Sequence, residues 1–110
     1  MEFSQNKPIY LQIVDSVYEK IINGSLKAGE RILSVREMGA ELGVNPNTVM
    51  RSFEKMTSDG AIFNQRGIGY FVADDAASKV LESQRKSFLE EEWPLIKRKI
   101  SLLGLKMEDL

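Results

Sequence analysis

The sequence predicts a mainly α-helical fold with one small β-hairpin, and three stretches carry that expectation. Pro8 to Asn23 repeats apolar residues at helical spacing. Ser34 to Met56 reads as two capped helices separated by a glycine turn, and Ile62 to Val72 reads as strand, glycine turn, strand. Helices in that order with a hairpin behind them make a winged helix-turn-helix, followed here by a short C-terminal α-helical element.

In the first helix Ile9, Ile13, Val17 and Ile21 form a stripe flanked by Tyr10, Val14, Tyr18 and Ile22. Pro8 suits the first helical position and Gly24 follows the last apolar residue. Leu26 to Gly29 is a turn, and Arg31-Ile32-Leu33 is a short extended piece. The second helix opens on a capping box, Ser34-Val35-Arg36-Glu37, in which each end residue satisfies the other's backbone N–H. Its apolar positions are Val35, Met38 and Leu42. The small Gly39 and Ala40 allow another helix to approach, and Gly43 supplies a left-handed end.

Asn45 then caps a third helix with Pro46 at its first position. Val49, Phe53 and Met56 recur at i, i+4 and i+7 as the stripe that should be buried, which leaves Asn47, Thr48 and Arg51 on a polar face. Asp59-Gly60 ends the helix. The hairpin follows, with Arg66-Gly67-Ile68-Gly69 at its tip and β-branched or aromatic residues on both arms. After Ala73, Asp74 or Asp75 can cap a helix running to about Glu92, with Ala77, Val80 or Leu81, Phe88 and Leu89 as its apolar contacts. Pro94 lacks a donor and must kink that helix or start a new one, along which Leu95, Ile96, Ile100 and Leu103 continue an apolar stripe as far as Gly104.

Composition narrows the chemistry. With no cysteine and no histidine among 110 residues, disulfides, thiolate or imidazole metal sites and histidine-assisted nucleophiles are excluded. No paired carboxylates come with a pocket signature and no phosphate loop is present, so neither enzyme activity nor a cofactor or metal is expected. No apolar run approaches the roughly 20 residues of a membrane span, and the expectation is a soluble, cytoplasmic protein with no membrane partner. Net charge is −1, with 8 basic and 8 acidic residues up to Ala73 and 7 and 8 after it. An anionic partner must therefore be met by a local face.

The third helix offers such a face. A major groove admits one α-helix, Asn and Arg side chains can make paired hydrogen bonds to base edges, and Thr can contribute its hydroxyl or methyl. Free N–H groups at the helix start would attract phosphate. Arg66 places a cation on a ribbon slim enough to reach a neighbouring groove or the backbone, and Arg36 is the remaining cation near the second helix start.

PIYLQI and INGSLKAGERI, SVREM and LGVNPNTVMRSFEKM, then DGAI and RGIGYFV, together resemble the GntR family of bacterial transcription regulators, most closely its short YtrA-like subfamily. The resemblance covers nearly the whole chain. It implies a sequence-specific regulator, a repressor, that binds double-stranded operator DNA as a homodimer, with Arg36, Asn45, Asn47, Thr48, Arg51, Arg66 and Gly67 on or near the DNA. Gly69 shares the wing tip with them. A two-fold dimer in turn implies a palindromic operator. The implied division is a DNA-binding domain, residues 1–73, and a helical dimerisation region, residues 74–110, pairing through Leu81, Phe88, Trp93, Leu95, Ile96, Ile100 and Leu103. Only 37 residues follow Ala73, too few for the effector domain of most subfamilies.

Two positions depart from the family pattern. Met50 stands where many longer members carry an arginine, so the charge comes one residue later at Arg51. Ala61 stands where a larger apolar residue is usual, which predicts looser packing at the wing root. The same fold could dock on protein without touching DNA, which would call for an apolar outward face on the third helix. A small-molecule effector could bind at the dimer interface or near Phe88 and Trp93.

Overall fold

The computed structural model describes residues 2–4 and 6–110. Its elements run α1 (Ile9–Ile22), α2 (Val35–Leu42), α3 (Pro46–Ser58), β1 (Ile62–Gln65), β2 (Gly69–Val72), α4 (Ala76–Ser87), a π-helical turn (Phe88–Glu92), α5 (Trp93–Leu102) and a 3₁₀ turn (Met107–Asp109). They gather into two compact units, Met1–Val80 and Leu81–Leu110.

In the first unit the periodicities read from the sequence become one core. Ile13, Val14, Val17, Tyr18 and Ile21 of α1 meet Met38 of α2, Val49, Phe53 and Met56 of α3, and Ile62 and Val72 of the hairpin. Val49, Phe53 and Met56 are wholly buried, each contributing on the order of 1.5–3 kcal/mol relative to exposure. Pro8 sits one position outside α1 as its cap, in extended geometry, and Gly24 follows Asn23 beyond the helix end. The Ser34–Glu37 capping box is made in both directions, 3.0 Å each way. Of the two small residues in α2 only Gly39 admits a neighbour: a Cβ there would sit 2.8 Å from the Val44 carbonyl oxygen. Ala40 is exposed, because at about 100° per residue it lies on the far side of the helix from the buried Met38.

The hairpin pairs Ile62 with Val72, Phe63 with Phe71, Asn64 with Tyr70 and Gln65 with Gly69. One face looks inward, where Tyr70 meets Phe53 edge-on at 4.8 Å; on the other Phe63 stacks on Phe71 at 5.9 Å. The extended piece before α2 lies against the free edge of β2. There the Ile32 N–H donates to the Tyr70 carbonyl and the Val72 N–H to the Glu30 carbonyl. The looseness expected at Ala61 is absent. Ala61 is fully buried, its N–H donates to the Met56 carbonyl, and its own carbonyl accepts from Ala73, so a methyl fills the space that two tight backbone bonds leave. Ala76 and Val80 of α4 complete this core, whereas Ala77 is exposed; one residue of helical phase makes the difference.

In the second unit α4 does not run to Glu92. It widens into the π turn, where the Trp93 N–H donates to the Phe88 carbonyl five residues back, and α5 starts with Pro94 at its second position. Glu92 and Trp93 are themselves right-handed helical, so the missing proline donor falls within a continuous helical run, directly after the widened turn. Gly104 closes α5: its N–H donates to the Ser101 carbonyl and that of Leu105 to the Ile100 carbonyl. None of the described residues of this unit is buried. Back in the first unit, Asp75, just before α4, pairs with Lys79 at 3.2 Å.

Candidate nucleic-acid interface

The cap of α3 decides what its first turn can offer. Asn45 stands outside the helix in extended geometry and its side-chain oxygen accepts the Asn47 N–H at 2.8 Å. The Thr48 N–H donates to the Asn45 carbonyl at 3.0 Å, and Pro46 has no N–H. The helix start expected to attract phosphate through free donors therefore has its Asn47 and Thr48 donors occupied. What faces outward from Asn45 is its amide NH2.

Beyond the cap, burial fixes the helix rotation. Val49, Ser52, Phe53 and Met56 point into the core. At about 100° per residue the opposite stripe carries Asn47, Arg51, Glu54 and Ser58, all exposed. Thr48 and Met50 are half-buried on its two flanks. Asn47 and Arg51 are thus one turn apart on the outward ridge, with the Glu54 carboxylate one turn further. A carboxylate there repels phosphate but can accept from a cytosine amino group.

Arg51 does not hang free. Its guanidinium carbon lies 4.1 Å from the ring centroid of Tyr10, a cation–π stack between α3 and the first turn of α1. Beneath it the buried Ser52 hydroxyl donates to the Tyr10 carbonyl at 2.7 Å. At its other end α3 is held to α1 by Tyr18, whose hydroxyl donates to Asp59 at 2.6 Å while Lys55 donates to the same carboxylate at 3.0 Å. Burial, reinforced by the Asp59 carboxylate, pushes the Tyr18 hydroxyl well above its usual pKa. At the start of α2 the backbone N–H and hydroxyl of Ser34 hold the Glu37 carboxyl below its usual range.

Arg36 is exposed in the first turn of α2. Arg66 and Gly67 are exposed in the three-residue tip of the hairpin together with Ile68, which is 51% exposed. Gly69 is half-buried and belongs to β2, with the Arg31 side chain across it: a Cβ there would lie 2.9 Å from Arg31 Nε. Tyr10, Ser52, Arg31 and Glu54 were not read as site residues from the sequence. For Ser52 a signal existed, a lone hydroxyl at i+3 from Val49 within an apolar stripe. Tyr10 gave none, being 41 residues from Arg51.

The expected dimerisation residues divide by exposure. Leu81, Trp93 and Ile100 are half-buried, while Leu95 and Leu103 are 64% and 63% exposed and Phe88 and Ile96 are 41% each. The Phe88 and Trp93 rings pack on one another, centroids 6.3 Å apart, across the π turn. Among the described residues no helix is long and apolar enough to cross a membrane.

Comparison with known proteins agrees with this architecture. The profile of bacterial regulatory proteins, gntR family, matches residues 9–72. The chain is 32% identical over 109 residues to YhcF of Bacillus subtilis (strain 168), an uncharacterized HTH-type transcriptional regulator, covering 99% of this chain and 88% of that one. To YtrA of the same organism, an HTH-type transcriptional repressor, it is 32% identical over 84 residues, covering 76% and 65%. A GntR family transcriptional regulator from Listeria monocytogenes has the same fold, with a TM-score of 0.80, 31% identity, and 97% and 92% coverage. The winged helix-turn-helix and the family profile coincide along the chain, and the chain belongs to the GntR family of bacterial regulatory proteins.

Proposed function

We propose that this chain is a sequence-specific transcriptional repressor of the cytoplasm that binds a palindromic DNA operator as a homodimer, α3 in the major groove and the wing tip on the adjacent groove or backbone. The observation that supports it best is the outward ridge of α3. Asn47 and Arg51 stand there opposite a fully buried stripe, on a helix fixed at both ends. A protein-docking face would need apolar residues on that ridge, and polar and charged ones occupy it. Arg36, Asn45, Thr48, Arg66 and Gly67 are assigned supporting contacts, with Gly69 as the wing's stem. Residues 1–73 are the DNA-binding part and residues 74–110 the dimerisation part.

The exposure of the second unit's apolar residues supports the homodimer. Leu89, Leu95, Leu102 and Leu103 are each more than half exposed, more apolar surface than a lone helical segment leaves in water. A second copy covers it, through Leu81, Phe88, Trp93, Leu95, Ile96, Ile100 and Leu103. Any small-molecule effector is assigned to that interface around Phe88 and Trp93. The shallow cavity between α1 and α2, about 60 Å³ and lined by Ile13, Ser16, Val17, Lys20, Leu33, Met38, Glu41 and Leu42, is far below the roughly 300 Å³ of a ligand site.

The test is Arg51→Ala. If Arg51 reads a base, the substitution costs ~1–3 kcal/mol on the preferred operator and relaxes the preference at one base pair per half-site. Titration of operator and random DNA at fixed salt measures both. Parental affinity on both DNAs would remove Arg51 from the interface.

A further inference from the structure

Arg51 and Tyr10 belong to different helices, yet one turn of α3 binds Tyr10 twice. The guanidinium of Arg51 covers the Tyr10 ring at 4.1 Å, and the next residue, Ser52, fixes the Tyr10 backbone through a buried 2.7 Å hydrogen bond. The backbone that carries the ring is thus held in place before anything approaches the exposed ridge. An arginine side chain alone loses much rotamer freedom when it binds. Stacked on a ring whose backbone is anchored, its planar fork is already oriented, and the N–H donors along its edge stay open for a bidentate pair with guanine O6 and N7.

We propose that Tyr10 of α1 is a positioning residue for base recognition, orienting the Arg51 fork toward a guanine in each half-site and so setting the base preference of a helix to which it does not belong. This rests on the assignment of Arg51 to the major groove. The phenol hydroxyl plays no part in the stack, so phenylalanine should replace tyrosine and an aliphatic residue should not.

The experiment selects bound DNA from a random pool with the full chain and with Tyr10→Phe, Tyr10→Leu, Arg51→Ala and the Tyr10→Leu/Arg51→Ala double variant. Tyr10→Met serves as a second ring-free form, and thermal unfolding verifies that each variant folds. The parent and Tyr10→Phe should enrich guanine at one position per half-site. Tyr10→Leu should weaken that preference about two- to fivefold, the equivalent of one exposed cation–π contact, and should add nothing once Arg51 is alanine. In NMR spectra the Arg51 δ-methylene protons should be shifted upfield by the ring in the parent and in Tyr10→Phe, and not in Tyr10→Leu.

A Tyr10→Leu variant that binds all sequences more weakly by one common factor, or whose effect survives undiminished beside Arg51→Ala, would overturn the positioning role and leave Tyr10 as packing. If Arg51→Ala erases the guanine preference while Tyr10→Leu keeps it, only the role of Tyr10 falls. If Arg51→Ala itself keeps the parental guanine, the groove assignment of Arg51 fails and the proposal fails with it.

Discussion

Single side chains show where local sequence rules stop. Asn45, Pro46 and the Ser34–Glu37 box were legible because capping is decided within four residues, and each is in place. Tyr10 under Arg51 and Tyr18 on Asp59 were not, since both join α1 to α3 across about 41 positions that no short-range pattern links. Tyr18 carries a pH dependence that can be measured. Its hydroxyl, 2% exposed, has a pKa raised in the folded state, so the protein binds that proton more tightly folded than unfolded. Its contribution is therefore constant below about pH 10, the unfolded value, and declines as pH rises beyond it by about 1.4 kcal/mol per pH unit. Urea unfolding at pH 8, 10 and 11 should show that loss in the parent and a shallower one in Tyr18→Phe. Identical profiles for the two proteins would contradict it.

Elements were read well wherever hydrophobic period and cap agreed, as in α1, α2 and α3. The hairpin was equally legible, because glycines between β-branched and aromatic arms allow few other folds. What the sequence did not show was how the wing root and the C-terminal helix are finished. Ala61 gave the expectation of a loose wing root, and two backbone hydrogen bonds close it instead. Pro94 announced a break without saying that the helix would widen into a π turn first, since widening depends on where the freed carbonyl finds a donor. The wing's two glycines differ in the same way. Gly67 has φ +79 and open space around it, whereas Gly69 has φ +145 and the Arg31 side chain where a Cβ would go. Gly67→Ala should cost about 1–2 kcal/mol, the penalty of a left-handed alanine. Gly69→Ala should cost more, up to about 3 kcal/mol, with backbone strain dominating because Arg31 can swing aside. Chemical denaturation of the two variants side by side measures the order; an equal or reversed order would refute the account of the stem.

At the scale of the whole molecule, net charge was the least informative quantity. A value of −1 pointed to no anionic partner, because the acidic and basic residues balance in both parts of the chain and only their placement distinguishes a face. The apolar stripe after Pro94 was legible as a stripe, but an amphipathic pattern is the same whether its face is covered by the chain's own core or by another copy. The structure leaves Leu95, Leu102 and Leu103 exposed in the single chain, which is why a second copy is assigned to them. In the proposed dimer, DNA reading is linked to pairing by symmetry, since two α3 helices related by a two-fold axis require two inverted half-sites. The sequences bound from a random DNA pool by the full chain therefore test the central claim directly. Two inverted copies of one half-site, with centres about one helical turn apart, roughly 34–36 Å, are the predicted result. Enrichment of a single asymmetric site, or none over random DNA, would contradict it.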